Sequence, residues 1–69
     1  MAGDPSAAVD GLRQAASRHR DNEDARGEAW TVYYLGQALE ETGNLDLSVR
    51  ELERSRTMFS RMRDVYGLA

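Results

Sequence analysis

The chain has 69 residues and a mass of 7.7 kDa, with 9 basic and 12 acidic side chains and a formal charge of −3. This length allows one small domain, which buries only about 60% of the surface that its unfolded chain exposes. The absence of cysteine excludes disulfides and thiolate metal sites. One histidine and no lysine argue against a metalloenzyme, a basic nucleic-acid module or a Schiff-base enzyme.

The chain has no feature of a membrane or secreted protein. No stretch approaches the roughly 20 apolar residues that a membrane span requires. The N-terminus lacks the charged and apolar regions of a signal peptide. We therefore expect a cytoplasmic protein that does not associate with membranes.

Capping residues predict two helices in the first part of the chain. Asp4 and Pro5 combine an acidic N-cap with proline at the first helical position, so the first helix is expected over about 5–20. Residues 21–24 are polar and suit a short loop with capping side chains, rather than a calcium loop. The second helix is then expected over about 25–42.

A glycine marks the next turn. Gly43 and Asn44 form a strong helix-stop signal, and Asp46 is placed to cap the helix that follows. The third helix is expected over about 45–62. After the polar residues 63–64, the segment 65–69 is expected to begin a further helix.

The chain matches itself at an offset of 40 residues. The ungapped comparison gives six identical pairs, against roughly two expected from ordinary composition. These pairs are Gly3 with Gly43, Val9 with Val49, Leu12 with Leu52, Asp24 with Asp64, Gly27 with Gly67, and Ala29 with Ala69. The first and third helices are therefore predicted to be equivalent, in a repeating helix-turn-helix unit.

Three segments within this unit resemble the tetratricopeptide repeat (TPR) family in its 40-residue variety, which occurs in large bacterial, actinobacterial-type regulators. They are residues 27–30 (GEAW), 35–39 (LGQAL) and 42–46 (TGNLD). The Leu35-Gly36 pair and the turn glycine Gly43 match the family's hallmarks. The resemblance implies an all-α fold over residues 1–69, a three-helix antiparallel array with one full repeat flanked by partial repeats.

Helical periodicity divides the second helix into two stripes. Val32, Leu35, Gly36 and Leu39 form an apolar stripe that we expect to pack on the third helix. On the third helix, the matching stripe is predicted from six residues: Leu45, Ser48, Val49, Leu52, Ser55 and Phe59, with Met62 at its border.

The second stripe of this helix is the candidate binding site. In proteins that resemble this chain, the first helices of successive repeats line a concave groove that holds a peptide. Carried over, the partner-binding residues are Trp30, Tyr33, Gln37 and Glu41, with Tyr34 at the edge. The alternative is that the aromatic side chains pack against a neighbouring repeat.

Glutamates end the second helix. Glu40 and Glu41 lie in its last turn, where negative charge opposes the helix dipole at a cost of a few tenths of a kcal/mol. This cost favours a partner with basic or polar character. The alternative is that both side chains are simply solvated.

The arginines of the third helix could indicate nucleic-acid binding, but acidic residues lie among them. Arg50, Arg54 and Arg61 share the predicted outer face, but Glu51 and Glu53 are interleaved with them. We expect a solvated face with a Glu51–Arg54 pair. His19 aligns with Phe59 at the 40-residue offset and is interpreted as a packing or boundary residue.

These patterns predict a protein-protein interaction module, with no catalytic residues, metal site or cofactor. The chain is interpreted either as a piece of a larger protein or as a natural short chain that closes its open repeat ends by homodimerisation. Two alternatives remain. One is a regulatory helix-turn-helix domain that binds nucleic acid, and the other is a structural three-helix bundle without a ligand.

Overall fold

Over residues 5–66 the protein is an all-α array of three helices, as predicted. The computed structural model describes residues 5–66, and the side chains of residues 6–64. The helices are α1 (Pro5–Asp21), α2 (Ala25–Glu41) and α3 (Leu45–Tyr66). Short turns make consecutive helices antiparallel, and α2 packs on both α1 and α3. No helix within the described residues is long and apolar enough to cross a membrane.

The two turns have the same hydrogen-bond pattern. In the first, the backbone N–H of Asp24 donates to the carbonyl of His19; in the second, that of Asn44 donates to the carbonyl of Leu39. Gly43 has a φ of 84°, a left-handed conformation that glycine adopts without strain, as its turn signal predicted.

The N-terminus of α2 is capped by Asp24. Its Oδ1 accepts a hydrogen bond from the Gly27 N–H at 2.9 Å, and its Oδ2 lies 3.0 Å from Nδ1 of the half-buried His19. Both hydrogen bonds lower the pKa of Asp24, and the one from the Gly27 backbone has the larger effect. The predicted cap of α3 differs: Asp46 lies inside the first turn, and Asn44 occupies the position equivalent to Asp24.

The apolar core joins α1 to α2. Val9, Leu35, Ala38 and Leu39 form one buried cluster, and Leu12 packs against it. The apolar stripe of α2 therefore serves both neighbouring helices, whereas only α3 was predicted to cover it.

The contact between α2 and α3 depends on small residues. A Cβ at Gly36 would lie 2.6 Å from Leu52 Cδ2, so the absence of a side chain lets α3 approach closely. The hydroxyl of Ser48 donates to the Gly36 carbonyl at 2.8 Å, and that of Ser55 donates to the Ala29 carbonyl at 2.9 Å. Both serines are buried, and the hydroxyl of each has a hydrogen-bond partner.

One carboxylate joins all three helices. Glu28 of α2 is buried, and its Oε2 accepts hydrogen bonds from Arg20 of α1 and Arg54 of α3, each at 3.0 Å. Arg54 also donates to Glu51 at 2.9 Å, which confirms the predicted pair. The prediction that Arg54 lies on the solvated outer face is wrong, because the buried Glu28 carboxylate draws it towards α2.

The third helix is longer than predicted. It continues through residues 63–64 to Tyr66, because these positions contain neither glycine nor proline and Arg63 complements the dipole of the last turn. Val65 and Tyr66 therefore belong to α3 and do not begin a further helix. The rest of that predicted segment, 67–69, lies outside the described residues.

Two apolar residues predicted to face α2 are exposed. Leu45 is 60% and Val49 is 55% exposed. The side of α3 that meets α2 is centred on the two buried serines, which rotates Leu45 and Val49 towards solvent. No described element packs on that side of α3.

Substitution of Gly36, with Gly11 as a control, tests the close approach. Gly36→Ala should lower the free energy of unfolding by about 1–2 kcal/mol, because overpacking against Leu52 outweighs the gain in helix propensity. Gly11→Ala is the matched control: a Cβ there meets nothing within 4 Å, so stability should rise by about 0.5–1 kcal/mol. Urea unfolding followed by circular dichroism measures both changes; stabilisation by Gly36→Ala would contradict the packing.

The Asp24 cap predicts a pH dependence of stability. Because folding lowers the pKa of this carboxyl below its ordinary value of 3.8, its contribution is complete above that value and is lost as pH falls through the folded-state pKa. Asp24→Asn keeps an acceptor for the Gly27 N–H but cannot titrate. The difference in melting temperature between wild type and this variant should therefore shrink on acidification. A difference that is constant between neutral pH and pH values below the folded-state pKa would contradict the assignment.

Candidate functional site

The predicted binding residues lie on an exposed face of α2, outside its buried contacts with α1 and α3. Trp30 is 47%, Tyr33 36% and Tyr34 50% exposed. Gln37 and Glu41 are also exposed, one and two turns further along the helix. We refer to these five residues as the α2 face. Its position follows from the burial of the opposite side of α2, where Ala29, Val32 and Leu39 are almost fully inaccessible.

The three aromatic rings of the α2 face form one cluster. The ring centroid of Trp30 lies 6.0 Å from that of Tyr33 in an edge-to-face arrangement and 6.2 Å from that of Tyr34 in a stacked one. Tyr33 and Tyr34 are 5.5 Å apart. These separations are typical of favourable aromatic pairs, so each ring restricts the others while one side of the cluster remains in water.

Polar groups continue the face towards the end of α2. The Gln37 Nε2 donates a hydrogen bond to the Tyr33 hydroxyl at 3.1 Å, which links two side chains one helical turn apart. Glu41 is the last residue of α2. The face therefore changes along the helix from aromatic, through amide, to carboxylate.

Phe59 of α3 was not assigned to this site. It was predicted to lie in the seam between α2 and α3, but its ring is half-buried and packs edge-to-face on Trp30 at 5.1 Å. It thereby joins the aromatic cluster to α3. The alignment of Phe59 with His19 at the 40-residue offset was the only sign in the sequence that this position borders the helix pair.

Beside the contact between Trp30 and Phe59, an open groove with a volume of about 760 Å³ lies between α2 and α3. Trp30 and Tyr33 line its α2 side. Its α3 side is lined by Leu52, Ser55, Arg56, Phe59, Ser60 and Arg63. We call this surface the α2/α3 groove; it adjoins the α2 face and shares two aromatic residues with it.

If the aromatic cluster is a surface feature, its removal should leave the fold intact. Tyr34→Ala should lower the free energy of unfolding by about 1 kcal/mol or less, since the side chain is half exposed and its ring packs on the two other exposed rings of the cluster. The control Leu39→Ala removes a side chain that is 1% exposed and should cost about 2–5 kcal/mol. Equal costs in denaturant unfolding would show that the cluster is part of the core.

No protein-family model matches the chain, and neither a curated protein nor a solved structure matches it. The resemblance to tetratricopeptide repeats therefore stays a prediction based on the quoted segments and on the internal repeat. Function is inferred from the geometry of the α2 face and of the groove beside it.

Proposed function

We propose that this chain is a protein-protein interaction module, related to the tetratricopeptide repeats, that binds a peptide or partner domain or self-associates. Its binding surface is the α2 face, residues Trp30, Tyr33, Tyr34, Gln37 and Glu41. The observation that carries the proposal is the exposure of a tryptophan and two tyrosines side by side on a helix whose other sides are covered. The sequence-based expectations of a bacterial regulator and a cytoplasmic location belong to the same proposal.

The composition and order of this face favour binding. Tryptophan and tyrosine dominate the energetics of protein interfaces because their rings release much water. On the α2 face, ring contacts and the Gln37–Tyr33 hydrogen bond already restrict the side chains. A partner therefore has less conformational entropy to remove when it binds.

The partner is proposed to carry a basic or polar group near the end of α2. Glu40 and Glu41 are both exposed there, beside the negative end of the helix dipole. An arginine or lysine of the partner would relieve this concentration of negative charge while its apolar side chains contact the aromatic rings. Desolvation of the site would strengthen that attraction.

A protein partner is favoured over nucleic acid by the arrangement of charge. The helix-turn-helix alternative requires a strongly basic recognition helix. The sequence of α3 balances five arginines with four acidic residues, and Arg54 is engaged by the carboxylates of Glu28 and Glu51. The net charge of −3 further disfavours binding to phosphates.

The proposal is tested by selecting displayed random peptides on the immobilised chain and measuring their affinity for variants in solution. Tyr34→Ala should weaken selected peptides about tenfold or more, as expected for loss of an interface aromatic. Arg50→Ala, an exposed change on α3, is the control and should leave affinity unchanged. Failure to select peptides, or equal effects of the two variants, would overturn peptide binding by the α2 face.

Self-association is tested separately by light scattering over about a hundredfold range of concentration. A dimer that is weakened by Tyr34→Ala and not by Arg50→Ala would identify a second copy as the partner of the α2 face. A monomer at every concentration would exclude that form of the proposal.

A further inference from the structure

The 40-residue repeat relates α3 to α1. The side of α3 that is exposed corresponds to a side of α1 that α2 covers. On α1, Val9 and Ala16 are buried, and Leu12 packs on the core cluster that includes Leu35 and Leu39. At the 40-residue offset, these α1 residues correspond to Val49, Leu52 and Arg56 of α3. The packing of α2 on α1 therefore shows how a helix can cover the equivalent surface of α3.

The corresponding surface of α3 is open. Val49 is 55% exposed, whereas its equivalent Val9 is 8% exposed. Leu52, Arg56, Phe59 and Ser60 all line the α2/α3 groove, and each of them is the equivalent of a residue on α1 between positions 12 and 20. Between residues 5 and 66, no helix occupies the place on α3 that α2 occupies on α1.

The charges at this groove indicate what kind of helix fits. Where α2 packs on α1, the Glu28 carboxylate accepts a hydrogen bond from Arg20. The equivalent of Arg20 on α3 is Ser60, and the arginines at 56 and 63 lie about one turn before and after it on the same side of the helix. The residues that line the groove include two arginines and no carboxylate.

We infer that the α2/α3 groove binds an amphipathic α-helix of another protein, antiparallel to α3, with an alanine- and leucine-rich stripe and an acidic residue in the place of Glu28. The small apolar side chains of this helix cover Leu52 and Phe59, as those of α2 cover α1. Its carboxylate lies between Arg56 and Arg63, in a charge-assisted contact. This inference goes beyond the proposed function because it assigns a further surface, which shares only Trp30 and Tyr33 with the α2 face, and the chemistry of its partner.

The chain supplies its own probe. A peptide with the sequence of α2, residues 25–41, carries the stripe and the glutamate that the inference requires. With Trp30→Phe in the peptide, the protein's single tryptophan reports binding, because Trp30 lines the groove. Addition of this peptide should give a saturable blue shift and quenching change in the fluorescence of Trp30, with a gain of helical circular dichroism.

Charge reversal identifies the site of binding. Arg63→Glu in the protein should weaken the peptide about tenfold or more, while Arg61→Glu, an exposed change outside the groove, should have a much smaller effect. A peptide that also carries Glu28→Arg should bind Arg63→Glu more tightly than it binds wild type. Thermal unfolding of each variant verifies that the fold persists.

Three outcomes would overturn the inference. The first is no saturable binding. The second is equal loss with Arg63→Glu and Arg61→Glu, which means that the peptide binds elsewhere or displaces α2 from α1. The third is a concentration-dependent dimer abolished by Arg63→Glu, which would make a second copy the occupant. Glu41 of the α2 face does not line the groove and lies two turns beyond Tyr33, so Glu41→Gln should leave this peptide's affinity unchanged even if the proposed function of the α2 face fails.

Discussion

The close approach of α3 to α2 at Gly36 is the constraint on which the rest of the structure depends. With no side chain at this position, Leu52 can lie directly on the backbone of α2, and two serine hydroxyls reach α2 carbonyls. Small buried groups rather than large apolar ones therefore form this helix pair. Larger side chains at Ser48 or Ser55 would separate the helices and leave these carbonyls without their second hydrogen bond.

The same constraint explains why so much aromatic surface remains in water. A helix pair that closes on glycine and serine has no space for rings in its seam, so Trp30, Tyr33 and Tyr34 lie outside it. Phe59, one turn beyond Ser55, is displaced to the edge of the seam and meets Trp30 there. The α2 face and the α2/α3 groove thus both follow from the close packing of α2 and α3 through small residues.

Local signals in the sequence predicted the elements, whereas the orientation of α3 required the structure. The Asp24 cap and the Gly43 turn depend on backbone geometry within a few residues, and both are as expected. Leu45 and Val49 were assigned to the seam together with Ser48 and Ser55, because helical periodicity places all of them in one stripe. The structure centres the seam on the serines and leaves the two apolar residues exposed. Arg54 was assigned to solvent because its partner Glu28 lies 26 residues away in the sequence. The five residues of the α2 face share one exposed side of the helix, but their role as a binding site stays a prediction.

The measurement that tests the central claim most directly is collisional quenching of Trp30 by acrylamide in the free chain, over about a hundredfold range of protein concentration. Trp30 is the single tryptophan and is 47% exposed, so its emission reports the environment of the aromatic part of the α2 face. We expect efficient quenching that is independent of protein concentration. A tryptophan protected from acrylamide even at the lowest concentration would show that the α2 face is buried, and would contradict its role as an open binding surface.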